Sequence, residues 1–174
     1  MGGKADAYPE IENEENLMRI ILRELQIQNR PYCINTKSDL VCRDIDIISK
    51  HENHCDVYMS ICTLDDEAIK YFEPFAPPPS RRIEALKILL DFGIDANVDA
   101  APWMPGISNA EKLIKTLPEN INIQFSPLEI MNSGKSIIIR GKEYSQKEII
   151  DLYYMEKEKI GEVERILWKE PIYS

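Results

Sequence analysis

Short β-prone runs alternate with segments of helical period along most of this 174-residue chain, and that rhythm constrains the fold more than any other feature. Residues 32–36, 55–62, 94–101 and 121–126 read as strands, rich in Val, Ile, Tyr and Phe. Between them lie helical patterns. Residues 14–28 carry Leu17, Ile20, Ile21, Leu25 and Ile27 near one face. Residues 40–50, with Asp39 as cap, place Leu40, Val41, Ile45, Ile47 and Ile48 together. Residues 63–71 form a shorter helix with Asp65 and Asp66 in its first turn. Residues 81–92 form an amphipathic helix that Gly93 ends, and Ser108 or Asn109 caps a further helix running to Leu117. The stretch from Glu73 to Ser80 (EPFAPPPS) is an extended loop, because proline fixes φ and removes a donor. Strand–helix alternation of this kind predicts right-handed βαβ units around a parallel sheet.

The tail departs from the rhythm. KSIIIR from Lys135 followed by GKEY predicts a hairpin, and Ser145 with Glu148 fits a capping box that opens a long charged helix over residues 146–168. The expected organisation is therefore a βα domain over residues 1–130 and a hairpin-plus-helix extension over residues 131–174. Gly134-Lys135-Ser136 does not make a P-loop, since Glu129 stands where the first glycine is needed and a strand, not a helix, follows.

The formal net charge of −9 opposes binding to a phosphate backbone, and Arg81-Arg82 or Lys135 with Arg140 and Lys142 are too sparse to form a basic patch. No apolar run approaches the roughly 18 residues that span a bilayer. The start lacks the apolar core of a signal peptide, and Asp6 breaks the myristoylation pattern. A cytoplasmic, reducing compartment is expected. Cys33, Cys42, Cys55 and Cys62 then read as free thiols, with no CxxC or CxxxC spacing among them and no metal site unless all four converge.

Several strings, in order, resemble the radical SAM group that includes spore photoproduct lyase and DNA-repair-photolyase-like proteins. Asn35-Thr36-Lys37-Ser38-Asp39-Leu40-Val41-Cys42-Arg43-Asp44-Ile45-Asp46 is similar to the group's TKSxLxxRDxDLL signature. Asp6-Ala7-Tyr8-Pro9-Glu10-Ile11-Glu12 resembles TDxYQPxE, and Ser60-Ile61-Cys62-Thr63 resembles a strand end of the group. Glu73 through Arg82 resembles EPxAPxPxxRL, while Gly93-Ile94 and Pro102 through Asn109 resemble its GI and PxxPGxND elements. These matches cover roughly residues 5–130.

The resemblance implies a partial (βα) barrel with parallel strands, an incomplete radical SAM barrel whose site lies at the C-terminal strand ends. It implies S-adenosylmethionine as ligand and a 4Fe–4S cluster held by a CxxxCxxC loop, chemistry that belongs to the cofactors. This sequence holds no CxxxCxxC, so the resemblance places its first residues inside the group's domain, past the cluster loop. A missing segment or a partner chain would have to supply the cluster. The chain is then expected to be the ligand-side portion of such an enzyme, not autonomous in catalysis; a fragment, a split gene or a degenerate paralogue all fit. The alternative is a non-catalytic α/β scaffold or partner-binding protein of the same descent.

By resemblance, Lys37 contacts the S-adenosylmethionine carboxylate or ribose and Ser60 its ribose, with Asp6 and Tyr8 lining the same site. No catalytic residue is assigned. Each has a plainer alternative: a solvated Lys37, a Ser60 packed between strands, a frayed start for Asp6 and Tyr8. Arg43 with Asp44 reads as a surface ion pair or an inter-helix bridge, and Glu73 with Arg82 as a bridge anchoring the proline loop. Trp103 and Met104 serve either as an adenine platform or as an apolar plug. His51 and His54 read as surface residues at the opposite end of the strands. An unclosed barrel exposes a strand edge and apolar helix faces, so a homodimer or a partner chain completing it is expected.

Overall fold

The computed structural model of the protein describes residues 1–2, 5–130 and 136–172. Five strands form one parallel sheet: β1 (Tyr32–Thr36), β2 (Cys55–Ser60), β3 (Asp95–Trp103), β4 (Ile123–Pro127) and β7 (Ile166–Trp168), in the order β1-β2-β3-β4-β7. The short hairpin β5 (Ser136–Ile139) and β6 (Lys142–Ser145) forms a separate antiparallel sheet. Helices α1 (Glu12–Glu15), α2 (Leu17–Ile27), α3 (Ile45–Ile48), α4 (Asp66–Phe72), α5 (Pro79–Asp91), α6 (Ala110–Thr116) and α7 (Gln146–Ile160) connect them. The fold is a partial (βα) barrel, as the resemblance implied.

Each crossover moves to the adjacent strand in the same direction, and right-handed crossovers of that kind put every helix on one face of the sheet. The strand residues divide accordingly. Ile34, Val57, Met59, Ala96, Val98, Ile123 and Phe125 are buried against Leu22, Ile48, Leu86, Leu89, Leu113 and Tyr153 of the helices. Cys33, Asp56, Tyr58, Asp95, Asp99 and Gln124 alternate with them along the strands and are half-buried or exposed on the other face. The sheet is thus apolar outside and polar inside.

Several boundaries differ from the sequence expectation for identifiable reasons. Residues 39–44 form a 3-10 helix rather than the start of an α-helix, and only Ile45–Ile48 is α-helical. The two buried positions of the 3-10 helix, Val41 and Asp44, fall three apart, the spacing that stacks side chains on a 3-10 face. Ser38, not Asp39, caps it by accepting from the Leu40 N–H. Asp65 stands before α4 as its cap, accepting from the Glu67 and Ala68 N–H groups. Pro79 occupies the first turn of α5, where its missing N–H costs nothing.

The largest difference lies in the tail. The capping box of Ser145 and Glu148 forms as expected, but α7 stops at Ile160, before Gly161, whose positive φ suits only glycine well. Residues 166–168 then become a strand rather than helix and join β4 in parallel. Trp168 stacks on Phe125 with ring centroids 4.5 Å apart. The Tyr153 hydroxyl lies 2.9 Å from the carbonyl oxygens of both Phe125 and Lys169, tying α7 to β4 and to the residue after β7. The expected tripeptide at residues 134–136 and the first residue of the KSIIIR run fall partly outside the described residues.

Replacing Tyr153 by Phe removes this hydroxyl while keeping the buried ring, so a loss of about 1–2 kcal/mol in unfolding free energy is expected. Urea denaturation followed by tryptophan fluorescence measures it; an unchanged midpoint would show that the closing strand does not depend on that bond.

Candidate functional site

A cavity of about 1210 Å3 opens at the C-terminal end of β1. The segment before α1, the turn after β1 and the proline loop form its walls. Lys37, Asp6 and Tyr8 all line it, so three of the four residues singled out from the sequence come together. Ser60, the fourth, is not among the lining residues. It is buried at the end of β2, with Oγ 3.4 Å from the Ala101 carbonyl.

Asp6 is occupied with the backbone. Its Oδ2 accepts from the Lys37 N–H at 2.7 Å, and its Oδ1 accepts from the Tyr8 N–H and the Thr36 hydroxyl. The carboxylate therefore fixes the entry segment onto the end of β1 and shapes the turn that carries Lys37. Tyr8 is buried, and its hydroxyl donates to Asp44 Oδ2 at 3.1 Å. Burial, reinforced by the Asp44 charge, pushes its phenol well above the ordinary tyrosine range. It acts as a neutral donor there.

Beneath this wall lies a buried charge network. Asp44 is fully buried and receives Arg19 NH1 at 3.0 Å and Arg43 NH2 at 2.8 Å. Glu12, also buried, receives Arg43 at 3.1 Å and caps α2 by accepting from the Met18 N–H. Arg43 and Asp44 are neighbours in one 3-10 helix, and the bridges between elements run from Arg43 to Glu12 of α1 and from Asp44 to Arg19 of α2. Burial alone would raise the Asp44 carboxyl, but hydrogen bonds from Arg43 and Arg19 outweigh it and hold the group below its usual range.

The proline loop is anchored by Arg82, whose side chain is fully buried. Its Nε donates to the Pro77 carbonyl at 2.6 Å, NH1 to the Ser60 carbonyl at 2.9 Å, and NH2 to Glu73 Oε2 at 2.6 Å. One guanidinium thereby links the strand end, the loop and an acidic side chain. The free oxygen of Glu73, Oε1, lies 3.6 Å from the Lys37 ammonium. The pairing of Glu73 with Arg82 is the loop anchor that the sequence suggested; the approach of Glu73 to Lys37 was not.

Two further features escaped the sequence. On the polar face of the sheet, Asp99 accepts from Asn35 at 3.0 Å and from Gln124 at 3.1 Å, bridging β1, β3 and β4 across β2. The alternation of Asn35, Asp99 and Gln124 with buried apolar neighbours was the available signal. Glu12 carried none, because nothing in its local pattern marks it as buried. Trp103 and Met104 are buried plugs: Trp103 packs edge-on against Tyr153 with centroids 5.9 Å apart, and Met104 joins a cluster with Ile107, Tyr144 and Ile149. His51 and His54 lie at the opposite end of the strands, His54 paired with Asp56 at 3.0 Å.

The four thiols do not form a cluster site. Cys33 is exposed on β1, Cys62 is buried, and Cys42 and Cys55 lie on separate elements. Burial pushes Cys62 up to about 12 and Cys42 up to about 11, and raises Cys33 and Cys55 as well. Protonated, scattered thiols are poor iron ligands. Among the described residues no group of cysteines lies within ligand distance of one another.

No protein-family model matches the chain. An uncharacterized protein of Methanocaldococcus jannaschii is 35% identical over 114 residues, which cover 66% of this chain and 43% of that protein. The chain spans less than half the length of the curated relatives it matches. A structure of spore photoproduct lyase complexed with a dinucleoside spore photoproduct superposes with a TM-score of 0.61 at 14% identity, over 96% of this chain and 60% of that one. Streptococcus suis SuiB bound to S-adenosylmethionine gives a TM-score of 0.54 at 16% identity, over 87% of this chain and 35% of SuiB. At these identities the likeness shows the fold alone, one shared with spore photoproduct lyase and SuiB.

Because the Asp44 carboxyl is depressed, it contributes stability that is present above the ordinary aspartate range and is lost as pH falls through the lowered value. Thermal melting is expected to drop once pH falls below about 4. Asp44→Asn should cost about 3–5 kcal/mol at neutral pH by stranding Arg43 and Arg19, and should flatten that acid-side fall. Calorimetry across pH on both proteins reads the difference; parallel profiles would exclude Asp44 as a source of the pH dependence.

Proposed function

We propose that this chain is the S-adenosylmethionine-binding portion of a radical SAM enzyme of the spore-photoproduct-lyase-like group. The observation that carries the proposal is the joint placement of Lys37 and the Asp6–Tyr8 segment around one cavity at the C-terminal strand ends of a partial (βα) barrel. Cavities at that end of a parallel barrel are where such folds bind ligands. The Lys37 ammonium suits a ligand carboxylate, and the polar inner face of the sheet suits a hydrogen-bonding ligand better than a packed core.

Lys37 would hold the carboxylate of S-adenosylmethionine, and the bound ligand would supply radical chemistry once reduced. The reductant of that step, a 4Fe–4S cluster, has no ligand set among the residues of this chain, so it must come from other residues of a longer protein or from a partner. The chain by itself is a binding and positioning unit. Its net charge of −9 gives no support for a nucleic-acid substrate.

A partner or a second copy is also part of the proposal. Leu17, Ile20, Ile21 and Ile27 of α2, the helix that leads into the edge strand β1, are exposed. At that edge Met1 pairs with β1 in the parallel sense, its amino group donating to the Cys33 carbonyl and its carbonyl accepting from the Asn35 N–H at 2.8 Å. A side chain at Gly2 would run into the Asn35 carbonyl, so only glycine lets the chain leave the edge there.

Isothermal calorimetry tests the cofactor assignment. The chain is expected to bind S-adenosylmethionine, and Lys37→Met to weaken that binding by about tenfold or more. Absence of heat with the wild-type chain overturns it. Reconstitution with iron and sulfide is expected to leave the isolated chain without a stoichiometric cluster, and a full one would revive an autonomous enzyme. Light scattering is expected to show self-association at high concentration, reduced by Ile20→Glu with Ile27→Glu; a monodisperse monomer counts against an exposed docking face.

A further inference from the structure

We propose that His54, Asp56 and Asp95 form a binding site for one zinc-class divalent cation at the end of the sheet opposite the ligand cavity. His54 precedes β2, Asp56 lies at the start of β2, and Asp95 opens β3, in register with Asp56. The parallel pairing therefore brings an imidazole and two carboxylates together, with one ligand atom from each within 4.8 Å of the others. Ligands held at about 2.0–2.2 Å from a zinc ion lie roughly 3–4 Å apart, so small side-chain rotations close the set. His54 and Asp95 are exposed and free to make them.

The patch leaves acceptors without donors. The hydrogen bond at His54 Nε2 goes to Asp56 Oδ2 at 3.1 Å. Asp56 Oδ1, 3.0 Å from the same nitrogen, is buried and has no hydrogen-bond partner. Among the described residues no lysine or arginine pairs with Asp56 or Asp95, although like charges in register on adjacent strands repel. A buried carboxylate oxygen without a donor is costly, and a cation supplies what the side chains do not. The neighbouring residues hold the ligands in place. Asn97, itself buried, donates to Asp95 Oδ1 at 2.8 Å and accepts from the Asn122 N–H at 2.8 Å, which orients that carboxylate and leaves its second oxygen for the cation. His54 is fixed through its backbone: its carbonyl accepts from the Tyr32 N–H at 3.2 Å and its N–H donates to Asn53 Oδ1 at 2.8 Å. One imidazole with two carboxylates suits zinc better than calcium or magnesium, which favour oxygen alone, or copper(I), which favours thiolate. The ion would tie the start of β2 to the start of β3, a structural role that does not depend on the S-adenosylmethionine assignment.

Cobalt(II), a coloured stand-in for zinc, tests the site on the full chain, because thiolate ligation adds an intense near-ultraviolet charge-transfer band that nitrogen and oxygen ligands lack. A single equivalent is expected to bind with visible d–d bands and without that charge-transfer band, and zinc is expected to displace it. Asp95→Asn and His54→Gln are each expected to weaken cobalt binding by about tenfold or more. Glu10→Gln, which removes a carboxylate of the cavity wall at the opposite end of the sheet, is expected to leave it unchanged. Absence of a stoichiometric site overturns the proposal. So does a charge-transfer band, which would move the metal to the cysteines, and so does an affinity that either ligand substitution leaves unchanged. An equal loss in Glu10→Gln overturns it as well, since the ion would then be held by the overall negative charge. Either ligand variant decides where the other does not fold.

Discussion

A parallel strand that steps to its neighbour always in the same direction carries its helices to one side, and the consequences of that handedness run through this protein. From β1 to β7 no crossover doubles back. Most of the large apolar side chains of the strands therefore serve one face, where Ile34, Met59, Val98, Ile123 and Phe125 meet the helices, while Leu167 of β7 is exposed on the other. The other face is released from any packing duty. Asn35, Tyr58, Asp99 and Gln124 sit there because nothing hydrophobic approaches them, and the amide–carboxylate–amide row satisfies its own hydrogen bonds. A doubly wound sheet would bury both faces and could not tolerate that row.

The mouth of the sheet repeats the same division between spent and unspent polar groups. Burying a guanidinium is costly unless its donors are matched. Arg82 is matched on three sides by two carbonyls and a carboxylate, so its cost is offset and the proline loop becomes rigid. The Glu12–Arg43–Asp44 network does the same for the wall behind Tyr8. Against those saturated groups the Lys37 ammonium stands out, because the Glu73 oxygen it faces lies 3.6 Å away.

The sheet was legible in the sequence because its signals are local. Period-2 runs such as Tyr32 to Thr36 and turn residues such as Gly93 act within a few positions of one another. The ordered strings around Lys37, Glu73 and Pro102 added the barrel end at which to look. What stayed hidden depends on long-range placement. Residues 166–168 continue a charged helix by composition, and only contact of Trp168 with Phe125, more than forty positions away, makes them a strand. Glu12 and Arg19 look like solvated helix residues until Asp44 is brought beneath them. Glu73 was placed correctly as the partner of Arg82, yet its second oxygen faces Lys37 through a fold of the loop that no spacing encodes.

The polar inner face also bears on what completes the sheet. Closed parallel barrels with packed interiors fill them with Val, Ile and Leu. Closing this sheet with further strands would instead enclose Asn35, Asp99 and Gln124, together with Asp56 and Asp95 nearer the other end. Such a lumen gains little from hydrophobic burial, so the drive to complete the barrel must come from elsewhere. The exposed Leu17, Ile20, Ile21 and Ile27 of α2, the helix that leads into the edge strand β1, form the face proposed to provide that drive. In the proposed association the contact is made by edge and helix, and the polar groups of the lumen are left to the proposed ligand. The proposed docking face and the proposed ligand site therefore draw on different residues.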